Sequence, residues 1–146
     1  MLYKSLQSLL KIRSMKSVFT HFLAFFALLF FECFSRLIIS FYHRVEFSFY
    51  GIADLPNIIW VVAILASVLI STWLVTMLIL TIINENFKFH ATVFALIIIS
   101  WRSIEIANSF NSEPVWYFAV VLLLHLIGIS LAYYLYRKQH EKLSTA

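Results

Sequence analysis

Glycine and proline are nearly missing from this chain, two of each in 146 residues. With so few, and with no Pro/Gly/Ser-rich tract, the sequence offers no flexible linker and no second domain, so one compact unit is expected. Cysteine is reduced to Cys33, which rules out an intramolecular disulfide and a Cys-x-x-Cys pair for redox work or zinc. Charge is scarce too: 12% of residues against roughly 25% in an ordinary soluble domain. That is too little polar surface to cover an aqueous globule, and no soluble catalytic domain is visible.

What is present is apolar: 62% of residues, with a mean hydropathy of +0.91. Four runs are long enough to span a bilayer, Ser17 to Tyr42, Asn57 to Ile83, Phe89 to Ser109 and Val115 to Tyr136. A hydrocarbon core of roughly 30 Å needs about 20 helical residues, and each run meets that. Barrel strands would alternate in polarity and be about half as long. The short separators "HRVEFSFYGIADLP", "NENFK" and "NSEP" favour neighbouring helices that run in opposite directions. The expected fold is therefore an all-α membrane protein, a four-transmembrane-helix antiparallel bundle over residues 17–136. Ahead of it stands a leader, 1–16, and behind it a tail, 137–146.

The leader places Leu2, Tyr3, Leu6, Leu9 and Leu10 on one helical side and Lys4 and Lys11 on another, as in a short amphipathic helix lying at a membrane interface. A disordered basic leader is the plain alternative. The basic stretch followed by an apolar run also fits the front of a signal peptide, but "FFECFS" lacks a small-x-small cleavage pattern, so the first span is expected to be retained. Pro56 and Pro114 fit the starts of spans two and four, where a missing N–H costs nothing.

The formal charge is +4 and the isoelectric point about 9.3. The basic residues are grouped beside the spans and not along a polar face, which argues against nucleic acid and for membrane orientation. Lys4, Lys11, Arg13, Lys16, Lys88, Arg137, Lys138 and Lys142 fall on one side of the expected topology. The other side has Arg44 against Glu46, Asp54 and Glu113. A bacterial-type inner (plasma) membrane with both termini cytoplasmic is the resulting expectation. Phe47, Phe49, Tyr50, Trp60, Trp116 and Tyr117 would form the outer aromatic belt, and Tyr133, Tyr134 and Tyr136 the inner one.

Two spans carry charges. Glu32 and Arg36 lie four residues apart in span one, and Arg102 and Glu105 three apart, in reversed order, in span three. Counted from the cytoplasmic start, Glu32 and Arg102 fall at about 21 and 20 Å, and Arg36 and Glu105 at about 27 and 24 Å. Acid would lie level with base at both depths, giving an electroneutral cluster of four. Each unpaired charge would otherwise cost roughly 2.5 to 3.5 kcal/mol on insertion scales. Asn108 and Asn111 lie close enough to extend the cluster, and His125 sits near mid-membrane. The cluster reads equally as a network that fixes helix pairing and as a binding or relay site.

Haem ligation would need a second histidine level with His125, but His21 and His90 lie near the cytoplasmic side, so no cofactor and no metal are expected. Ala63, Ser67 and Ser71 in span two, with Gly128 and Ala132 in span four, have the size that allows close helix approach. Ser67 and Ser71 lack a neighbouring base, so no catalytic residue is assigned. The leading functional expectation is a non-enzymatic membrane protein acting by helix–helix interaction as an accessory, assembly or immunity-type subunit. Its partners would be the lipid bilayer and a homo-oligomer or larger membrane complex. A small oligomeric transporter or channel built on the charge cluster is the alternative, and a lipid- or quinone-linked enzyme the third.

Overall fold

The computed structural model describes residues 2–49, 51–53 and 55–144, and among them the side chains from 14 to 141. Its helices are α1 (Leu2–His43), α2 (Ile58–Ile83), α3 (Phe87–Ser109) and α4 (Val115–Ser144), and all four are long and apolar enough to cross a membrane.

The breaks between helices have local causes. Asn57 caps α2, its side-chain oxygen accepting from the N–H of Ile59 at 3.0 Å and of Trp60 at 3.4 Å. Pro56 therefore lies one residue before the cap and not in the first turn. Asn84 ends α2 in the left-handed region, φ 52°, and donates its N–H to the Leu80 carbonyl at 2.9 Å. Asn86 repeats the left-handed conformation at φ 43°. Asparagine tolerates that region better than other side-chain-bearing residues, which permits so tight a reversal without glycine.

Two boundaries differ from the expected ones. The leader is not a separate helix: α1 is continuous over 42 residues, about 63 Å at 1.5 Å per residue, since neither glycine nor proline interrupts it. Past Tyr136, likewise, α4 continues to Ser144, helped by the exposed pair Arg137 and Glu141 at i,i+4, 2.7 Å apart. The sidedness of Leu2, Tyr3, Lys4, Leu6, Leu9, Leu10, Lys11 and Arg13, and the surroundings of Tyr50, Asp54 and Lys142, lie outside the described side chains.

Helix α2 is the hub, packing most extensively on α4 and α1, while the backbones of α1 and α3 hardly approach. Gly128 lets α4 close on α2: a Cβ there would sit 3.1 Å from the Thr72 Cβ and 3.2 Å from the Leu69 carbonyl oxygen. Ala132 is fully buried and Ser71 buried, Ser67 is half-buried, and Ala63 is exposed. The stripe expected over Ala63, Ser67 and Ser71 thus leaves the contact at its first member. Four-residue steps rotate about 40° each around a helix of 3.6 residues per turn, so a row that starts at Ser71 has turned outward by Ala63.

The interior is layered. Ala24, Leu28, Val75, Ile79, Phe94, Ile98 and Ile129 belong to an apolar core toward the 84–86 turn. Val61, Val68, Tyr117, Phe118 and Val121 form a second core toward the other end, closed by Ile52 from the 44–56 loop. On every helix the residues between these cores are the polar ones: Glu32 on α1, Thr72 on α2, Arg102 on α3 and His125 on α4, all buried.

The loop that closes the second core is held by backbone geometry. Gly51 has φ +91°, and Glu113 accepts from the Ile52 N–H at 2.7 Å and the Ala53 N–H at 3.2 Å. A Cβ at Gly51 would overlap the Glu113 carboxylate. Gly51→Ala is therefore expected to lower stability by about 2 to 3 kcal/mol, through backbone strain and loss of this clamp. Unfolding in mixed detergent micelles measures it, and an unchanged midpoint would show that the clamp is not formed.

Candidate functional site

The polar layer is organised by Arg102. Its guanidinium donates Nη2 to Glu32 Oε2 on α1, Nη1 to Glu105 Oε2 one turn along α3, and Nε to His125 Nε2 on α4 at 2.9 Å. Glu32, Arg102, Glu105 and His125 are each no more than 5% exposed. A planar fork carrying donors on three nitrogens can serve three acceptors at fixed angles, which a lysine ammonium on a flexible stem cannot reproduce.

These contacts assign the histidine tautomer. Arginine only donates, so His125 Nε2 is the acceptor and the ring proton sits on Nδ1. Nδ1 lies 2.6 Å from the Thr72 hydroxyl oxygen, which in turn donates to the Val68 carbonyl at 2.6 Å. A directed chain results, Arg102 to His125 to Thr72 to the α2 backbone. With α1 reached through Glu32, one network ties all four helices. His125 Nε2 is also 3.7 Å from Glu32 Oε1, a distance too long for a hydrogen bond, and the neutral ring makes it no ion pair. To act as a base, His125 would first have to give up its bond from Arg102.

Arg36 departs from the expected quartet. It donates Nη1 to the Gly51 carbonyl and Nη2 to the Tyr117 hydroxyl at 2.8 Å, and among the described residues no carboxylate lies within ion-pair distance of it. The four charges still sum to zero, but Arg36 is engaged by neutral oxygens on the loop and α4 while Arg102 alone serves both acids. Three atoms of these side chains have no hydrogen-bond partner among the described residues, Glu32 Oε1, Glu105 Oε1 and Arg36 Nε.

Of the other residues singled out from the sequence, Asn108 and Asn111 are exposed and stand outside the network. Ser67 and Ser71 donate to the Ile64 and Val68 carbonyls of their own helix, at 2.8 and 3.2 Å. Tyr117, expected in the outer belt, is instead fully buried and accepts from Arg36. Thr72, Gly51 and Glu113 carry parts of the network or its lid that the sequence pattern does not mark. A threonine in an apolar helix looks like any packing residue until its partner is placed opposite.

Along the α1–α3 seam, side chains bridge what the backbones do not. The His21 and His90 rings are 5.3 Å apart near the 84–86 turn, and Phe25 meets Trp101 edge to face at 5.6 Å. The Glu32–Arg102 pair follows. Cavities lie on both sides of the Phe25–Trp101 contact. The one toward the 84–86 turn, about 630 Å³, is lined by Ser17, His21, Phe22, Phe89 and His90 among others. The one toward the 44–56 loop, about 370 Å³, reaches Glu32, Arg102 and Glu105. Among the described residues no group of three or more histidine, cysteine or acidic side chains is placed to hold a metal ion.

Comparison with protein-family models, with curated proteins and with solved structures finds no match to this chain.

Proposed function

We propose that this chain is a multi-pass protein of a bacterial-type inner membrane, its helices crossing alternately with both termini in the cytoplasm, and that it works by helix–helix contact as an accessory or assembly subunit. The orientation rests on Lys16, Lys88, Arg137 and Lys138, which gather at the end of the 84–86 turn, against Arg44, Glu46 and Glu113 at the other. Reporter fusions within residues 84–88 and after Lys142 should report cytoplasm, and a tag near Gly51 the exterior. An external C-terminus would reverse the topology.

One observation carries the interaction reading: the network's charges are buried and bonded within the bundle, tying α1, α3 and α4 to one another. A conduction path would need some of these groups turned toward water, whereas a closed network fixes helix positions and presents an invariant outer surface. On that surface Phe22, Phe26, Phe30 and Phe34 form an exposed ridge along α1 at four-residue steps, with ring contacts of 4.7 Å between the first two and 5.8 Å between the last two. In lipid, helices associate by close packing and not by hydrophobic expulsion, and a preformed ridge of rings is suited to that.

A photo-crosslinking amino acid at Phe26 or Phe30 in native membranes should give discrete protein adducts, while the same group at Leu78 or Ile82, exposed on α2, should label only lipid. Lipid adducts alone at every position would overturn the interaction reading.

A further inference from the structure

We propose that the cavity between α1 and α3 beside Glu32 and Glu105 is a binding site for a lipophilic organic monocation. This goes beyond the interaction reading, since it concerns a small ligand and not a partner helix.

The cavity's volume of about 370 Å³ falls in the range of small-molecule sites, roughly 300 to 1,000 Å³. Its walls include Phe26, Phe30, Phe49 and Trp101, and its charged lining is Glu32, Arg102 and Glu105. Two carboxylates against one guanidinium line this space, while the cation that makes the cluster neutral as a whole, Arg36, stands one turn further along α1. The balancing charge on Arg36 is not part of the lining, because its guanidinium is drawn to the Gly51 carbonyl and the Tyr117 hydroxyl. The imbalance also shows in the hydrogen bonds: Glu32 and Glu105 each accept from Arg102 at Oε2, and each keeps an Oε1 with no donor among the described residues, although both side chains are at least 95% buried.

Each feature narrows the ligand. With two acids at the wall and the balancing Arg36 set farther back, the potential at the wall favours a cation over an anion. A cluster that is neutral overall cannot balance a multivalent ion, so a monovalent one is selected. Phenyl and indole faces attract cations, but they cannot replace the oxygen shell of a small inorganic ion, so a bulky cation with weakly hydrated charge is selected. Entry is between α1 and α3, where the backbones hardly approach, so the route favours a molecule that already partitions into hydrocarbon.

The test uses the full chain in lipid nanodiscs and two probes of like size and opposite charge, tetraphenylphosphonium and tetraphenylborate, with binding read by equilibrium dialysis above partition into empty nanodiscs. The phosphonium should bind saturably at one site, and the borate at least about tenfold more weakly, a factor equivalent to about 1.4 kcal/mol. Glu105→Gln removes one of the two wall carboxylates and leaves the cluster net positive, so it should weaken phosphonium binding about tenfold or more. Cys33→Trp fills the cavity from its wall and should abolish phosphonium binding, with a cooperative unfolding transition showing that the variant is folded. If Glu105→Gln does not fold, the cavity-filling variant and the probe pair decide between them. Absence of phosphonium binding, equal binding of the two probes, which would make the space a neutral slot for lipid chains, or unchanged binding in folded Cys33→Trp would each overturn the proposal.

Discussion

Arg102→Gln is expected to destabilise the bundle by on the order of 3 to 5 kcal/mol, the cost of leaving buried charge without its partner. Arg102 is the cation shared by two buried carboxylates and also the donor to His125, so its loss strands groups on α1, α3 and α4 at once. Glu32→Gln or Glu105→Gln should each cost less, because Arg102 keeps the other acid. The hub geometry also settles what restores stability. A pairwise reading recommends exchanging the partners, Glu32→Arg with Arg102→Glu. In this structure the exchange puts a new base four residues from Arg36 and a new acid three residues from Glu105, like charges in both places, so it should not rescue. Neutralising all three members, with Arg102→Leu, Glu32→Gln and Glu105→Gln, should recover part of the loss, since buried ionic groups often break even against uncharged replacements, while Arg36 is left without a counter-charge. Unfolding in mixed micelles reads all of these. A stable Arg102→Gln, or full rescue by the exchange, would mean that the network is not built around Arg102.

Gly128→Leu is expected to cost about 3 kcal/mol or more, at or above the upper end of overpacking penalties. The site has no slack: a Cβ alone is already at 3.1 to 3.2 Å from Thr72 and the Leu69 carbonyl. A larger side chain must push α4 away from α2, and the hydrogen bond between Thr72 and His125, one turn from Gly128, breaks first. Gly128→Ala should lose only about 1 kcal/mol, because small shifts of Thr72 can absorb a methyl group while the helix gains intrinsic propensity. Yield and unfolding midpoint should fall in the order glycine, alanine, leucine. Indifference at this position would place the α2–α4 contact elsewhere.

Hydrophobic runs, caps and sparse charges are one-dimensional features, and the helices follow from them directly. Asn57 and the Asn84–Asn86 reversal mark helix ends through side-chain and left-handed backbone chemistry that operates locally. The unbroken α1 was legible in the same way, from the lack of glycine and proline over residues 2–43, although reading the leader by its amphipathic pattern hides it.

The charge network divides along the same line. Residue counting along each span puts Glu32 and Arg102 at nearly equal depth, and they meet. The same arithmetic sets Arg36 near Glu105, yet Arg36 turns to Gly51 and Tyr117. Depth is a single coordinate, additive along a helix at 1.5 Å per residue and so available without the fold. Direction around the axis acquires meaning only when neighbouring helices are placed. Composition and periodicity thus determined that this chain forms four long apolar helices with a few charges set inside them. Tertiary structure alone decided that Arg102 is the hub, that His125 and Thr72 extend it, that Ala63 faces outward, and that Glu113 meets the backbone beyond Gly51. Each of those depends on side chains distant in sequence approaching to a few ångströms, a relation that no local propensity contains.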